Sequence, residues 1–370
     1  MDIAVRKAVP GDLMQLTEVQ RARIIPAANP DCRPFKLSSG EIVINTIQTY
    51  AAQPLWQLAL FIAANAVMVW RLHVMESKGF EGTVLGTLIM PYCSGFANLV
   101  FAYVMSKSAS NGGAVIENCL VNNATNLTLI LGLSAIFGSA ASLPKANSKQ
   151  KIKKHAEFLF ITRLNLLFTL IALFLFTGTL WALAKDKELN LYDGMILVGL
   201  FVFWQILHVF EVLKDNIRND KEIHWSIVID LVLIAASAYC IYFAVDHLVE
   251  WVAKTKNPLF SFAKIGWFSG ILMVLPNAFL ALYYAHIGRQ DIVLSSQIGD
   301  GHICIPMCIG LFAVFNTIQI PDSFQTGAFI ILGAGAVIFL SIAALGRIPR
   351  FVGVGLIGAY GFFLYNGLIQ

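Results

Sequence analysis

Amide and carboxylate side chains interrupt two long apolar stretches of this chain, residues 98–132 and 277–310. Such side chains are costly in hydrocarbon, so inside a spanning helix they usually face a cavity or an ion path. Their oxygens are also the ligands that hard inorganic cations prefer. Each stretch is an apolar segment, a short polar link and a second apolar segment that carries Asn, Asp or Gln. We therefore interpret the two stretches as parts of one functional site.

The composition indicates an integral membrane protein. Of the 370 residues, 57% are hydrophobic and 13% are charged, whereas a soluble protein carries about 25% charged residues. Apolar runs of about 20 residues recur along the chain, and that length crosses a bilayer as a helix. The composition therefore excludes a large soluble enzyme.

No other chemistry is indicated by the sequence. The six cysteines include no CxxC pair, and five of them lie in apolar segments, so they are interpreted as packing residues. Nucleotide-binding loops, nucleophile triads and metal-ligand clusters are not found. The chain is therefore predicted not to be an enzyme, to need no cofactor and to bind no nucleic acid. Its predicted partners are the lipid bilayer and inorganic cations, and the sequence indicates no oligomeric state.

The apolar runs predict an all-α integral membrane fold with ten transmembrane helices. Residues 1–53 form a polar tail without a signal-peptide pattern. The spans are predicted near residues 54–72, 83–106, 113–138, 158–183, 193–212, 225–250, 260–286, 291–317, 325–345 and 350–368.

Five spans followed by five spans predict two repeats of opposite orientation. An odd number of helices per repeat turns the second repeat upside down, which is the inverted-topology architecture of many secondary transporters. In such folds, broken helices at the bilayer midplane form the substrate site where the repeats meet. The predicted organisation is the tail, a first five-helix repeat at 54–212, a charged cytoplasmic linker at 213–224, and a second five-helix repeat at 225–370.

The basic residues predict the orientation. Alternate loops share one side of the membrane, and one set of loops carries most of the Lys and Arg, including segments 145–154 and 214–222. The positive-inside rule places that side in the cytoplasm. Both termini are then outside, and the predicted location is the cell membrane.

The two polar stretches align without a gap when residues 121–132 are placed over residues 299–310. The corresponding pairs are Asn122 and Asp300, Asn126 and Cys304, and Gly132 and Gly310. Recurrence of polar residues at matching places supports an internal repeat.

Further upstream, Asn98 corresponds to Asn277 with a small offset. Pro276 is expected to break the seventh span immediately before Asn277, because proline lacks the N–H that the helical ladder uses. Gly95 is expected to loosen the second span in the same way.

This pattern resembles the calcium/cation antiporter superfamily, which includes sodium/calcium exchangers and cation/proton exchangers. The shared features are a helix break, a polar residue and, further along, a small-polar cluster, repeated in both halves of ten spans. The resemblance covers most of residues 54–370 and is strongest at 275–279 (LPNAF) and 298–301 (IGDG). It implies a secondary active antiporter that exchanges cations by alternating access, driven by Na⁺ or H⁺.

The chain departs from the superfamily at the main acids of the ion site. The superfamily has a Pro-Glu pair in each repeat, and its glutamates supply most of the negative charge for Ca²⁺. Here the second repeat has Pro276-Asn277, and the first has Asn98, or Tyr92 if Pro91 is taken as the matching proline. Since Ca²⁺ usually takes several carboxylates among its oxygen ligands, we expect weaker divalent binding or an altered substrate, such as a monovalent ion.

The predicted site for the transported cation (Na⁺, Ca²⁺ or H⁺) draws on polar residues of four spans. They are Asn98, Glu117, Asn118, Asn122, Asn126, Asn277 and Asp300. Asp300 stands where the superfamily has a site-lining serine, so it restores part of the lost charge. The direction of Glu117 is left open, because neighbouring residues on a helix differ by about 100°.

Other interpretations stay open at this point. The asparagines could act only as interhelical hydrogen-bonding groups, and His302 is either structural or a proton relay. The chain could also be a transport-inactive relative that serves as a membrane scaffold or sensor through its tail or its basic 145–154 segment. A passive channel is a further alternative, although an inverted repeat favours a transporter.

Overall fold

The fold is taken from a computed structural model, which describes residues 53–77, 92, 95–107, 112–138, 149–216, 226–255 and 262–369. Nearly all of the predicted tail, much of the charged linker and the first part of the second predicted span lie outside these residues.

The described residues are almost entirely helical, as expected where backbone polar groups must be satisfied within each apolar segment. The helices are α1 Pro54–Ser77, α2 Phe96–Ser106, α3 Gly112–Ala124, α4 Leu131–Phe137, α5 Lys149–Leu183, α6 Leu191–Asn216, α7 Ser226–Lys254, α8 Ile265–His286, α9 Gln290–Gly299, α10 Gly301–Ile303, α11 Gly310–Phe315, α12 Phe324–Leu345 and α13 Arg350–Leu364. Two short strands, β1 Glu188–Leu189 and β2 Ile318–Gln319, pair antiparallel.

Ten apolar segments are found among the described residues, in agreement with the predicted spans. Nine of them are long and apolar enough to cross a membrane, and α2 is a shorter apolar helix at the end of the second predicted span. Gly112–Phe137 forms the third span and Ile292–Phe315 the eighth. Helix α5 starts earlier than predicted, at Lys149, because Lys and Gln are good helix formers and continue the helix out of the apolar region.

Two matching glycine contacts reveal the internal repeat. A Cβ atom on Gly132, in the third span, would lie 2.8 Å from the carbonyl oxygen of Gly353 in α13. The aligned Gly310, in the eighth span, makes the corresponding contact in α6, where its Cβ would lie 3.1 Å from the carbonyl oxygen of Gly194. Each repeat therefore packs its third span against the last helix of the other repeat, and this reciprocity is consistent with the predicted inverted repeat.

The first helices of the two repeats, α1 and α7, pack against each other. Arg71 of α1 and Asp230 of α7 form an ion pair across this contact, with 3.4 Å between Nη1 and Oδ1. Charged groups within spans usually pair in this way, so Asp230 has a packing role at the interface of the repeats.

Helix α8 packs closely on α3 through two glycines one turn apart, Gly266 and Gly270. A Cβ on Gly270 would lie 2.8 Å from the backbone oxygen of Asn118 and 2.8 Å from Cβ of Val121. Small residues at this spacing let helix backbones approach within a membrane. The close approach brings the polar side chains of the two helices together.

Replacing Gly270 with alanine is expected to lower the midpoint of thermal unfolding, because the added methyl group forces α8 away from α3. Overpacking of this kind costs about 1–3 kcal/mol. The matched control is Gly178→Ala in α5, where an added Cβ meets no atom within 4 Å. Fluorescence-detected thermal unfolding in detergent measures both variants, and equal midpoints would contradict the tight α3–α8 contact.

Irregular backbone occurs at the depth of the predicted site in both repeats. The third span contains a π-helical turn at Thr125–Ile130, and the eighth contains one at Cys304–Ile309. At Asp300, between α9 and α10, the backbone keeps helical angles (φ −56°, ψ −34°), so the eighth span continues through this residue. Helix α8 runs through Pro276 without ending. The prediction that Pro276 breaks the seventh span is therefore wrong, and the proline only removes one hydrogen bond from the helix.

Candidate functional site

Helical spacing aligns two rows of side chains across the contact between α3 and α8. Asn118, Asn122 and Asn126 recur every four residues in the third span, and Ser269, Met273 and Asn277 recur every four residues along α8. Residues four apart lie on one face of a helix, one above the other. The two rows face each other at their first step, where Asn118 Nδ2 donates to Ser269 Oγ at 2.9 Å and to Met273 Sδ at 3.4 Å.

Asp300 is the acceptor at the centre of the candidate site. Its side chain is 5% exposed, and its Oδ2 accepts hydrogen bonds from Asn277 Nδ2 at 2.9 Å and Asn126 Nδ2 at 3.1 Å. Among the described residues, none of the ion pairs involves Asp300. A buried carboxylate without a countercharge is unfavourable unless it takes up a proton or a cation.

Asn122 links this carboxylate to the second span. Asn126 Nδ2 donates to Asn122 Oδ1 at 3.2 Å, and Asn122 Nδ2 donates to Asn98 Oδ1 at 3.5 Å. The Cys304 thiol donates to the same Asn122 oxygen at 3.8 Å. One network therefore joins the second and third spans of the first repeat to the seventh and eighth spans of the second.

The network has amide oxygens available for a cation. The Oδ1 atom of Asn126 is buried and has no hydrogen-bond partner among the described residues. The NH₂ group and the oxygen of an Asn amide are nearly alike in shape. Rotation of the amide group by 180° therefore replaces the N–H donors that face a carboxylate with the amide oxygen. Asn126 and Asn277 are thus able to donate to an ion-free Asp300 and to coordinate a cation bound beside it.

Two of the predicted site residues make their contacts elsewhere. The Glu117 carboxylate accepts a hydrogen bond from Ser323 Oγ at 3.0 Å, just before α12, and Asn118 bonds with Ser269 and Met273. The structure therefore brings five of the predicted residues into one network, namely Asn98, Asn122, Asn126, Asn277 and Asp300. Ser269 and Met273 were not predicted, although their four-residue spacing from Asn277 places them on the same face of α8.

His302 points away from Asp300. Its Nε2 lies 2.9 Å from the carbonyl oxygen of Thr169 in α5, and its ring packs edge-on against Phe176 and Trp204. These contacts favour the structural interpretation of His302 over the proton relay. No group of three or more His, Cys, Asp or Glu side chains that could hold a metal ion is found in the described ranges.

Two segments of the chain, residues 52–210 and 226–368, match the model of the sodium/calcium exchanger protein family. This chain belongs to the sodium/calcium exchanger family. Membership of that family makes it a membrane transporter of the cation antiporter type and not an enzyme. The resemblance to calcium/cation antiporters that the sequence predicted is thereby confirmed.

Solved structures of the sodium-calcium exchanger NCX_Mj have the same fold as this exchanger-family chain. The structure soaked with zero Na⁺ and Ca²⁺ has 17% sequence identity and a TM-score of 0.57, covering 88% of this chain and 99% of that chain. The structure soaked with 100 mM Na⁺ and 10 mM Sr²⁺ has 18% identity and a TM-score of 0.59, with the same coverage. No curated protein sequence matches the chain. The exchanger fold is thus shared while most side chains differ.

Proposed function

We propose that this protein is a secondary active cation antiporter that works by alternating access, is coupled to Na⁺ or H⁺, and uses Asp300 as its principal charged ligand. The observation that carries the proposal is the buried Asp300 carboxylate, bonded to Asn126 of the first repeat and Asn277 of the second. Family membership supports the antiporter class.

The charge of the site favours a monovalent substrate. Asp300 is the acid of a network whose other predicted members, Asn98, Asn122, Asn126 and Asn277, are neutral. Sites for Ca²⁺ usually supply several carboxylates, because a divalent ion loses much hydration energy on binding. One carboxylate balances one positive charge, so we propose that Na⁺ and H⁺ compete for Asp300 and that Ca²⁺ binds weakly.

The position of the network supports alternating access. Asp300 and Asn277 belong to one repeat, whereas Asn126 belongs to the other. A shift of one repeat against the other therefore changes the ligand geometry, and rocking of repeats about a fixed site is the usual mechanism of inverted-repeat transporters.

The test is transport by the purified full chain in proteoliposomes. With an outward Na⁺ or H⁺ gradient, we expect uptake of the tracer cation that disappears when the driving gradient is abolished. At equal concentration, ²²Na⁺ uptake should exceed ⁴⁵Ca²⁺ uptake. An internal pH dye reports whether protons move in exchange. Uptake that needs no counter-ion would contradict antiport and indicate a channel. Absence of flux in vesicles that contain folded protein would favour the transport-inactive scaffold.

A further inference from the structure

We propose that Glu117, Asn118, Ser269 and Ser323 form a second cation-binding station, which a hard cation occupies on its way to Asp300 from the membrane face where α3 begins. This proposal rests on the proposed function, because it assigns a route to the same central site. The four side chains lie on the third and seventh spans and at the start of α12, and their hydrogen bonds are separate from those of Asp300.

Glu117 supplies the charge of the station. Its Oε1 accepts a hydrogen bond from Ser323 Oγ at 3.0 Å. Its Oε2 lies against the backbone of Gly266, where an added Cβ would be 2.9 Å from that oxygen. The Trp267 indole also contacts the carboxylate. Glu117 is partly buried, so its side chain keeps some exposure to a particle of the size of water or a cation.

Asn118 supplies a buried acceptor that the protein itself leaves unused. The residue is 0% exposed, and its Oδ1 has no hydrogen-bond partner among the described residues. Its Nδ2 donates to Ser269 Oγ at 2.9 Å, and Ser269 Oγ in turn donates to the Gly266 carbonyl oxygen at 3.1 Å. A buried acceptor without a partner is unfavourable, and a bound cation removes that cost.

Glu117 and Asn118 are neighbours in α3, and the contacts of both lead to Gly266 of α8. Glu117 contacts Gly266 directly, and Asn118 reaches it through Ser269. Carboxylate, hydroxyl and amide oxygens are ligands of hard cations such as Na⁺ and Ca²⁺. The station therefore offers one negative charge and several neutral oxygens, as the Asp300 network does.

The station lies between one membrane face and the central site. Asn118 precedes Asn122 by one helical turn, about 6 Å along the helix axis. Glu117 and Asn118 are near the start of α3 at Gly112, Trp267 is near the start of α8, and Ser323 directly precedes α12. These starts lie at the face that the basic residues predict to be outer. Cations from that face meet Glu117 first, while cations from the opposite face do not.

The first experiment measures transport from each face separately. Proteoliposomes are prepared with both insertion orientations, which are distinguished by a protease site at one terminus, and ²²Na⁺ is the probe. Glu117→Gln is expected to raise KM about tenfold for Na⁺ supplied at the α3-start face, and to leave the maximal rate and the KM at the other face within twofold. The matched control, Glu188→Gln, removes an exposed carboxylate of β1 and should change neither KM.

The second experiment separates this proposal from the central site. In Asp300→Asn protein, transport should fall at least about tenfold, yet ²²Na⁺ binding should persist with weaker affinity and disappear in the Asp300→Asn/Glu117→Gln double variant. If Asp300→Asn leaves transport intact, the proposed function fails. If it reduces transport as expected and the added Glu117→Gln leaves the residual binding unchanged, the station alone is refuted.

A purely structural role of Glu117 gives a different result. It would raise KM equally at both faces or lower only the amount of folded protein, and either result overturns the proposal. If Glu117→Gln does not fold, Asn118→Leu, which keeps the side-chain shape and removes the amide, is measured by the same two-face assay. A one-sided rise in KM is again the supporting result, and unchanged or equally raised KM values refute the station.

Discussion

Asp300→Asn is expected to reduce gradient-driven cation flux by roughly 10- to 100-fold, which corresponds to the 1.5–3 kcal/mol that a charged hydrogen-bonded group contributes. The substitution keeps the size of the side chain and removes its negative charge. The amides of Asn126 and Asn277 lose the charged acceptor that organises them, and an entering cation has no countercharge. Initial rates of ²²Na⁺ uptake in proteoliposomes measure the effect.

The control for this variant is Asp246→Asn. Asp246 is a partly exposed acid of α7 that lies 3.4 Å from Lys107, away from the Asp300 network, and exposed ion pairs of this kind contribute little. Its variant should transport at the wild-type rate. If Asp300→Asn also transports at that rate, the buried amides are interhelical hydrogen-bonding groups and not a cation site.

Asn277→Glu is expected to increase the affinity for Ca²⁺ at least about tenfold. The new carboxylate stands beside Asp300, since Asn277 Nδ2 lies 2.9 Å from Asp300 Oδ2. Two unit charges 4 Å apart interact by about 4 kcal/mol at an effective dielectric constant of 20, and repulsion between the two acids without the ion makes a divalent cation still more favourable. Equilibrium binding of ⁴⁵Ca²⁺ to the purified protein measures the change.

Asn277→Gln is the matched control, because it lengthens the side chain as glutamate does without adding charge. We expect no gain in Ca²⁺ binding from it. A gain of similar size in both variants would show that side-chain length, and not charge, limits divalent binding. No gain from Asn277→Glu would mean that the position does not face the bound cation, which contradicts the site geometry.

The local sequence was sufficient to predict the membrane class and the inverted repeat. The thickness of the bilayer sets the length of an apolar run that can span it, so ten apolar segments could be located in the sequence. The repeat alignment paired Gly132 with Gly310, and the two glycines make matching close contacts in the structure. In spans, small residues are enriched at helix contacts and ionisable residues are rare, so their recurrence carries positional information.

The sequence also predicted Asp300 and its neighbouring asparagines as site residues, because an acid in an apolar segment is conspicuous, and these side chains bond to one another in the structure. It could not assign directions to side chains that share a helix. Glu117 and Asp300 are both acids in spans, yet Glu117 contacts Ser323 and lies outside the Asp300 network. The course of the backbone was also not determined by the sequence, since α8 continues through Pro276, where a break was predicted.

The chemical inventory of the candidate site, one acid and several amides in spans that repeat, is therefore a property of the sequence alone. Which of those groups meet was decided by the tertiary structure. The close packing of α8 on α3 at Gly266 and Gly270 sets which side chains of these two helices converge. The physical reason is that spacing along one helix defines a face, whereas contact between two faces depends on how closely and at what register their backbones pack.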